Sequence, residues 1–201
     1  MRRRGWGVCV AEVPQVATPQ QVLAALLAST PDEPDLALVP HSNAGLYAPA
    51  VAVERDVAAT VFVDAAIPRP AATMTPPAVL EILETLVDAE GLLPPWTRWW
   101  PDDEVAALFP DQATRHRVEA AEPRLPLSYF RAEPPPPHAC TGRAGFLGFG
   151  DTYASERAAA VDRRWPVRTL PGHHLHMLVD PEAVAAAVAE ILGELDRLPR
   201  G

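Results

Sequence analysis

The chain is poor in cysteine, has no long apolar run and carries no excess of positive charge. Each absence narrows what it can be. Cys9 and Cys140 are the only cysteines in 201 residues. They lie far apart and have no histidine at ligand spacing, so the sequence offers neither a disulfide framework nor a metal site, and no cofactor motif is present. Such sparse cysteine fits a reducing compartment. No apolar stretch approaches the ~18 residues of a membrane span. The basic head at Met1 is followed by too short an apolar body for a secretory signal, so a cytoplasmic placement is expected. The net charge of -9 is spread along the chain and argues against a nucleic-acid partner, which requires a basic face. The one basic cluster, Arg2-Arg3-Arg4, reads as a solvated helix end. The 24 prolines read as compositional habit, and no internal repeat is found.

What remains is an ordinary globular chain, 48% hydrophobic, long enough for a substantial core. Gly7 to Val13 (GVCVAEV) is short and β-branched and reads as a buried strand. Thr18-Pro19-Gln20-Gln21 supplies a hydroxyl N-cap, a proline at the first helical position and a glutamine at N3, opening a helix. Asp35 to Val39 is a second buried strand, leading through Pro40-His41-Ser42-Asn43-Ala44-Gly45 into a helix. Thr60 to Val63 is a third, ended by Asp64. Strand–helix alternation of this kind predicts a parallel sheet covered by helices on both faces. The alternation pauses over residues 92–138, where Pro94, Pro95, Trp96, Trp99, Trp100 and the stiff run Pro134 to Pro137 mark an insertion over the sheet. It resumes with a strand at Ala144 to Gly148, a helix near Ala154 to Val161, a strand near Pro166 to Leu170 and a closing helix from Pro181 to Leu195.

A serine on a sharp turn between a parallel strand and a helix has the geometry of a nucleophile elbow. Ser42 occupies such a turn. Elbows favour glycine two positions before and two after the serine; Pro40 and Ala44 stand there. On these residues alone, a serine capping an ordinary turn fits as well.

The segment Leu170-Pro171-Gly172-His173-His174-Leu175-His176 through Asp180-Pro181 resembles the histidine loop of the α/β-hydrolase superfamily. There a strand, a Gly-rich turn and the histidine precede a proline that opens the last helix. The resemblance extends from Gly5 to about Leu195. It is closer still to a group of small bacterial α/β-hydrolases with an HSNAG-like elbow, an FVDA strand, a PPW…WWP insertion and a GHLHMLVDP-like loop. It implies a single α/β domain over residues 1–201 with a helical cap insertion at about 92–138. His174 is implied as base, in preference to His173 and His176. A metal reading of the three histidines is set aside, because no carboxylate or cysteine stands at ligand spacing. The acid is implied at Asp151, after the strand AGFLGFG, with Asp64 as its competitor. The Ser, Asp, His order agrees with this superfamily.

The expectation is therefore a serine hydrolase of esterase or thioesterase type. Ser42 attacks a small, largely apolar ester, thioester or lactone, and His174 and Asp151 serve it. The Asn43 N–H is one oxyanion donor, and Trp96, Trp99 and Trp100 either line the pocket or pack the cap against the sheet. The resemblance also implies strands ahead of residue 5, one of them carrying the second oxyanion donor, so the chain reads as N-terminally truncated. A natural short form with another donor recruited, or a non-catalytic ligand-binding or accessory relative, stays open. An exposed sheet edge in so short a chain makes a homo-oligomer plausible.

Overall fold

The computed structural model describes residues 6–13, 18–69, 74–137, 139–140 and 142–197. The expected helix end at Met1 to Gly5 lies outside them. The first helix, α1 (Pro19–Ser29), starts as its sequence dictates. The Thr18 side chain accepts from the Gln21 N–H, the Gln21 side chain accepts from the Thr18 N–H, and Pro19 occupies the first turn. The elbow strand is split in two: β1 (Leu36–Leu38) and β2 (His41–Ser42) are separated by Val39 and Pro40. Pro40 has no N–H to give a ladder, yet its carbonyl accepts from Val63 N–H at 2.9 Å. It is tolerated because β1 and β2 form the outer row of the sheet.

β3 (Val57–Ala65) is the long central strand, followed in the sheet by β4 (Ala144–Phe149) and β5 (Val167–Leu170). All pairings are parallel, in the order β1–β3–β4–β5, with β2 also pairing β3. Alternation along the strands sends side chains to opposite faces. Ala59, Val61, Val63, Leu147 and Phe149 meet α9 (Pro181–Arg197) through residues such as Val188 and Ile191. Phe62, Ala65, Ala144 and Phe146 meet Ala48 of α2 (Ala48–Glu54) and Ala160 of α7 (Ala154–Asp162) on the other side. With both faces covered, β3 and β4 are apolar almost throughout, as a buried parallel sheet requires.

After β3 comes α3 (Pro77–Leu86). The Pro- and Trp-rich segment then folds as a 3₁₀ turn at Trp96–Arg98 and three short helices: α4 (Asp102–Ala106), α5 (Gln112–Glu119) and α6 (Leu127–Arg131). Leu93, Leu127, Tyr129 and Phe130 from this segment share a core with Leu46, Tyr47, Met74 and Leu83. A short α8 (His176–Val179) precedes α9.

One expected strand is absent. Residues 6–13 form no strand; Val10 is 75% exposed. The segment is tied instead to the end of α1, where Cys9 Sγ donates to Ser29 O at 3.1 Å and Glu12 N–H donates to Ser29 Oγ at 3.4 Å. A β-branched run becomes a strand only where a ladder receives it, and these residues pair with none of the five strands.

Candidate active site

Three strand ends converge at one edge of the sheet. Ser42 closes β2 with φ 56° and ψ -132°. This is a sparsely populated conformation for a residue with a Cβ, and such strain persists only where the surroundings enforce it. The enforcement is visible. Ser42 O accepts from Ala66 N–H at 3.0 Å, and the chain turns at once into a 3₁₀ helix, Asn43–Tyr47. The tight approach falls at Gly45, one position beyond the expected small residue: a Cβ there would lie 2.0 Å from Ala66 O. Ala44 is exposed, so a methyl group is accommodated there.

His174, on the loop after β5, places Nε2 3.0 Å from Ser42 Oγ and Nδ1 2.7 Å from Asp64 Oδ2. The carboxylate only accepts, so Nδ1 carries the proton, Nε2 is free, and the Ser42 hydroxyl donates to it. Asp64, at the end of β3, is 1% exposed and has φ 42°. Its other oxygen, Oδ1, accepts from the Phe149 N–H at 3.0 Å. Both carboxylate oxygens are thus engaged, the condition for burying such a group.

Asp151, preferred in the sequence, is not part of this group. β4 ends at Phe149, and Gly150 at φ 50° turns the chain outward. The Asp151 side chain is 96% exposed and faces Arg157, 3.5 Å away. The acid beside His174 is Asp64. The sequence held a signal for it: an aspartate inside the apolar run TVFVDAAI must be buried, and a buried carboxylate needs partners. His173 is exposed; the His176 ring packs 5.5 Å from that of Phe149, and neither reaches Ser42. Among the described residues, no group of three or more His, Cys, Asp or Glu side chains could hold a metal ion.

Two neighbours of His174 had no motif to announce them. The His41 ring stacks on it with centroids 4.4 Å apart, and His41 Nε2–H donates to His174 O at 3.0 Å. Burial, with the adjacent His174 adding to it, lowers the His41 pKa to about 4, so the ring is neutral and serves as a donor. Tyr153, immediately before α7, tilts its ring over His174 at 5.4 Å and brings its hydroxyl to 3.3 Å from Ser42 Oγ.

Ser42, Asn43 and His174 open on a cavity of about 1000 Å³, which Trp96, Trp99 and Trp100 also line. Trp99 is fixed by Phe130, edge-on at 5.2 Å, and donates from Nε1 to Pro94 O at 2.8 Å. The cavity has the size and largely apolar walls of a small-molecule site.

No protein-family model and no curated protein sequence matches the chain. Solved structures do. An extracellular α/β-hydrolase from a Paenibacillus species, whose structure is described as sharing structural and functional homology with tobacco salicylic acid binding protein 2, superposes with a TM-score of 0.66 at 16% identity, covering 90% of this chain and 83% of its own. Polyneuridine aldehyde esterase superposes at 0.60 with 16% identity, covering 87% and 80%. Tomato methylketone synthase I, solved with 2-tridecanone, superposes at 0.56 with 14% identity, covering 88% and 79%. At this level of identity what is shared is architecture, and the architecture is unambiguous: the chain adopts the α/β-hydrolase fold.

Proposed function

We propose that the protein is a serine hydrolase of esterase or thioesterase type. Ser42 is its nucleophile, His174 its general base and acid, and Asp64 the carboxylate that orients His174. The observation that carries this reading is the continuous hydrogen-bonded line from Ser42 Oγ through His174 to Asp64, at 3.0 and 2.7 Å. Ser42 attacks the acyl carbon as its proton passes to Nε2. The same nitrogen protonates the departing alkoxide or thiolate, and water then releases the acyl group by the reverse sequence. Asp64 fixes the tautomer that leaves Nε2 free and stabilises the imidazolium. The Asn43 N–H donates to the oxyanion. Trp96, Trp99 and Trp100 favour a small, largely apolar ester, thioester or lactone as substrate.

A cytoplasmic setting belongs to the same proposal and is supported by the free thiols of Cys9 and Cys140. No helix among the described residues is long and apolar enough to cross a membrane.

The test is turnover of short-chain nitrophenyl esters. Wild type hydrolyses them, and Ser42→Ala and His174→Ala each lose about 10⁴-fold or more in kcat. Wild type without turnover, or turnover retained in Ser42→Ala, overturns the proposal. That outcome would favour the alternative of a ligand-binding or accessory protein using the same cavity.

A further inference from the structure

Ser42 Oγ has two side-chain partners, and the reaction just described uses only one. The second is Tyr153, whose hydroxyl lies 3.3 Å from Oγ. Ser42 gives its own proton to His174 Nε2, so Tyr153 is the donor in this contact and Oγ the acceptor. The phenol keeps its proton at neutral pH: burial foremost, with Glu156 and Asp64 nearby, raises its pKa.

Topology places Tyr153 on a definite side of the serine. The elbow strand β2 pairs on one side of β3, and β4 and β5 follow on the other. His174 arrives from the end of β5 and Tyr153 from the end of β4, so both reach Oγ from the same flank. The nitrogen that takes the proton from Ser42 must hand it to the departing oxygen, so that oxygen leaves on the flank of His174. Two oxygens bonded to one tetrahedral carbon lie closer together than a hydrogen bond is long. A hydroxyl in contact with Oγ on that flank is therefore within reach of the leaving oxygen too. The Tyr153 ring, tilted over His174 at 5.4 Å and seated at the start of α7, holds the hydroxyl in place.

We propose that Tyr153 is a catalytic residue for the leaving group, a role that rests on the serine hydrolase reading above. During acylation the Ser42 Oγ–acyl bond forms and the Oγ proton moves to His174 Nε2. As the acyl–OR bond breaks, Nε2 returns that proton to the departing oxygen. Tyr153 donates a hydrogen bond to the same oxygen while it is negatively charged, and keeps its own proton throughout. In deacylation the departing oxygen is Oγ itself, which the hydroxyl already touches. The proposal makes alkyl esters, whose alkoxides need stabilisation, natural substrates for this site, and makes acylation by nitrophenyl esters, whose leaving group is already stable as the anion, much less dependent on Tyr153.

The experiment compares kcat/KM, which reports acylation, for Tyr153→Phe and wild type on an alkyl ester and a nitrophenyl ester of the same short acyl group. A hydrogen bond to a charged oxygen corresponds to a fall of about 10- to 100-fold on the alkyl ester, with a smaller fall on the nitrophenyl ester. Equal falls on both esters, or no fall on either, would overturn the role. A fluorophosphonate probe, whose fluoride leaves without a proton, reports separately on the rest of the site: Tyr153→Phe still labels at Ser42. Loss of labelling in the variant also counts against a role confined to the leaving group. Failure to label wild type removes the serine hydrolase reading itself, which keeps the two failures distinct.

Discussion

Asp64 holds two strand ends together as well as orienting a histidine, because one of its carboxylate oxygens takes the Phe149 N–H and the other the His174 imidazole. Asparagine at this position keeps an oxygen for Phe149 but cannot favour the correct tautomer of His174. Asp64→Asn is therefore expected to stay folded and to lose about 10⁴-fold in kcat, whereas Asp151→Asn retains full activity, both read on a nitrophenyl ester. The reverse pattern would return the role to Asp151. His41 gives a second prediction. Its folded pKa of about 4 lies below its ordinary 6.5, so between these values the unfolded chain binds the proton that the folded chain refuses. Stability contributed by neutral His41 is present above pH 6.5 and is lost as pH falls toward 4, by up to about 3 kcal/mol. Urea midpoints measured across this range fall in wild type and fall less in His41→Gln; identical slopes would show that His41 is not the group responsible. Neither His41 nor Tyr153 was legible in the sequence, since a ring that stacks on a distant histidine leaves no local spacing to read.

At the scale of elements, the sequence announced its strands wherever burial on both faces made them continuously apolar. It announced its helices through caps such as Thr18 and through prolines such as Pro19 and Pro181. It misled where an element's fate depends on a partner. Residues 6–13 have the composition of a strand but no ladder to join. Asp64 is the penultimate residue of one apolar strand and Asp151 lies just beyond another, and the left-handed turn at Gly150 sends the second to solvent. The elbow differs from the expected pattern for a similar reason. The β2-to-helix turn brings Gly45, and not Ala44, against the backbone after β3. Gly45→Ala is expected to lower stability by about 1–3 kcal/mol through overpacking, read as a lower urea midpoint with unchanged m. Ala44→Gly, which meets no clash and loses only backbone restriction in the 3₁₀ helix, is expected to cost about 0.5–1 kcal/mol. A neutral Gly45→Ala would show that the elbow accommodates a side chain there.

Across the whole molecule, the segment between α3 and β4 brings a wall of indoles to the same cavity that Ser42 opens on. Trp99 carries both duties, since it packs on Phe130 within the core that includes Leu83 and Leu93. Trp99→Ala is expected to cost on the order of 2–3 kcal/mol, less than a fully buried tryptophan, with Ser42 still reactive toward a fluorophosphonate; loss of that reactivity would place Trp99 in the reaction itself. The fold was legible from strand–helix alternation together with one elbow and one histidine loop. The acid and the reach of Tyr153 were set by how strand ends turn in space. The central claim is that Ser42, His174 and Asp64 act as one nucleophilic unit. Mass-spectrometric localisation of a fluorophosphonate adduct tests it most directly. The account predicts a single adduct on the peptide containing Ser42, formed by wild type and Asp151→Asn and suppressed in His174→Ala and Asp64→Asn. An adduct elsewhere, none at all, or one at Ser42 indifferent to His174 would contradict it.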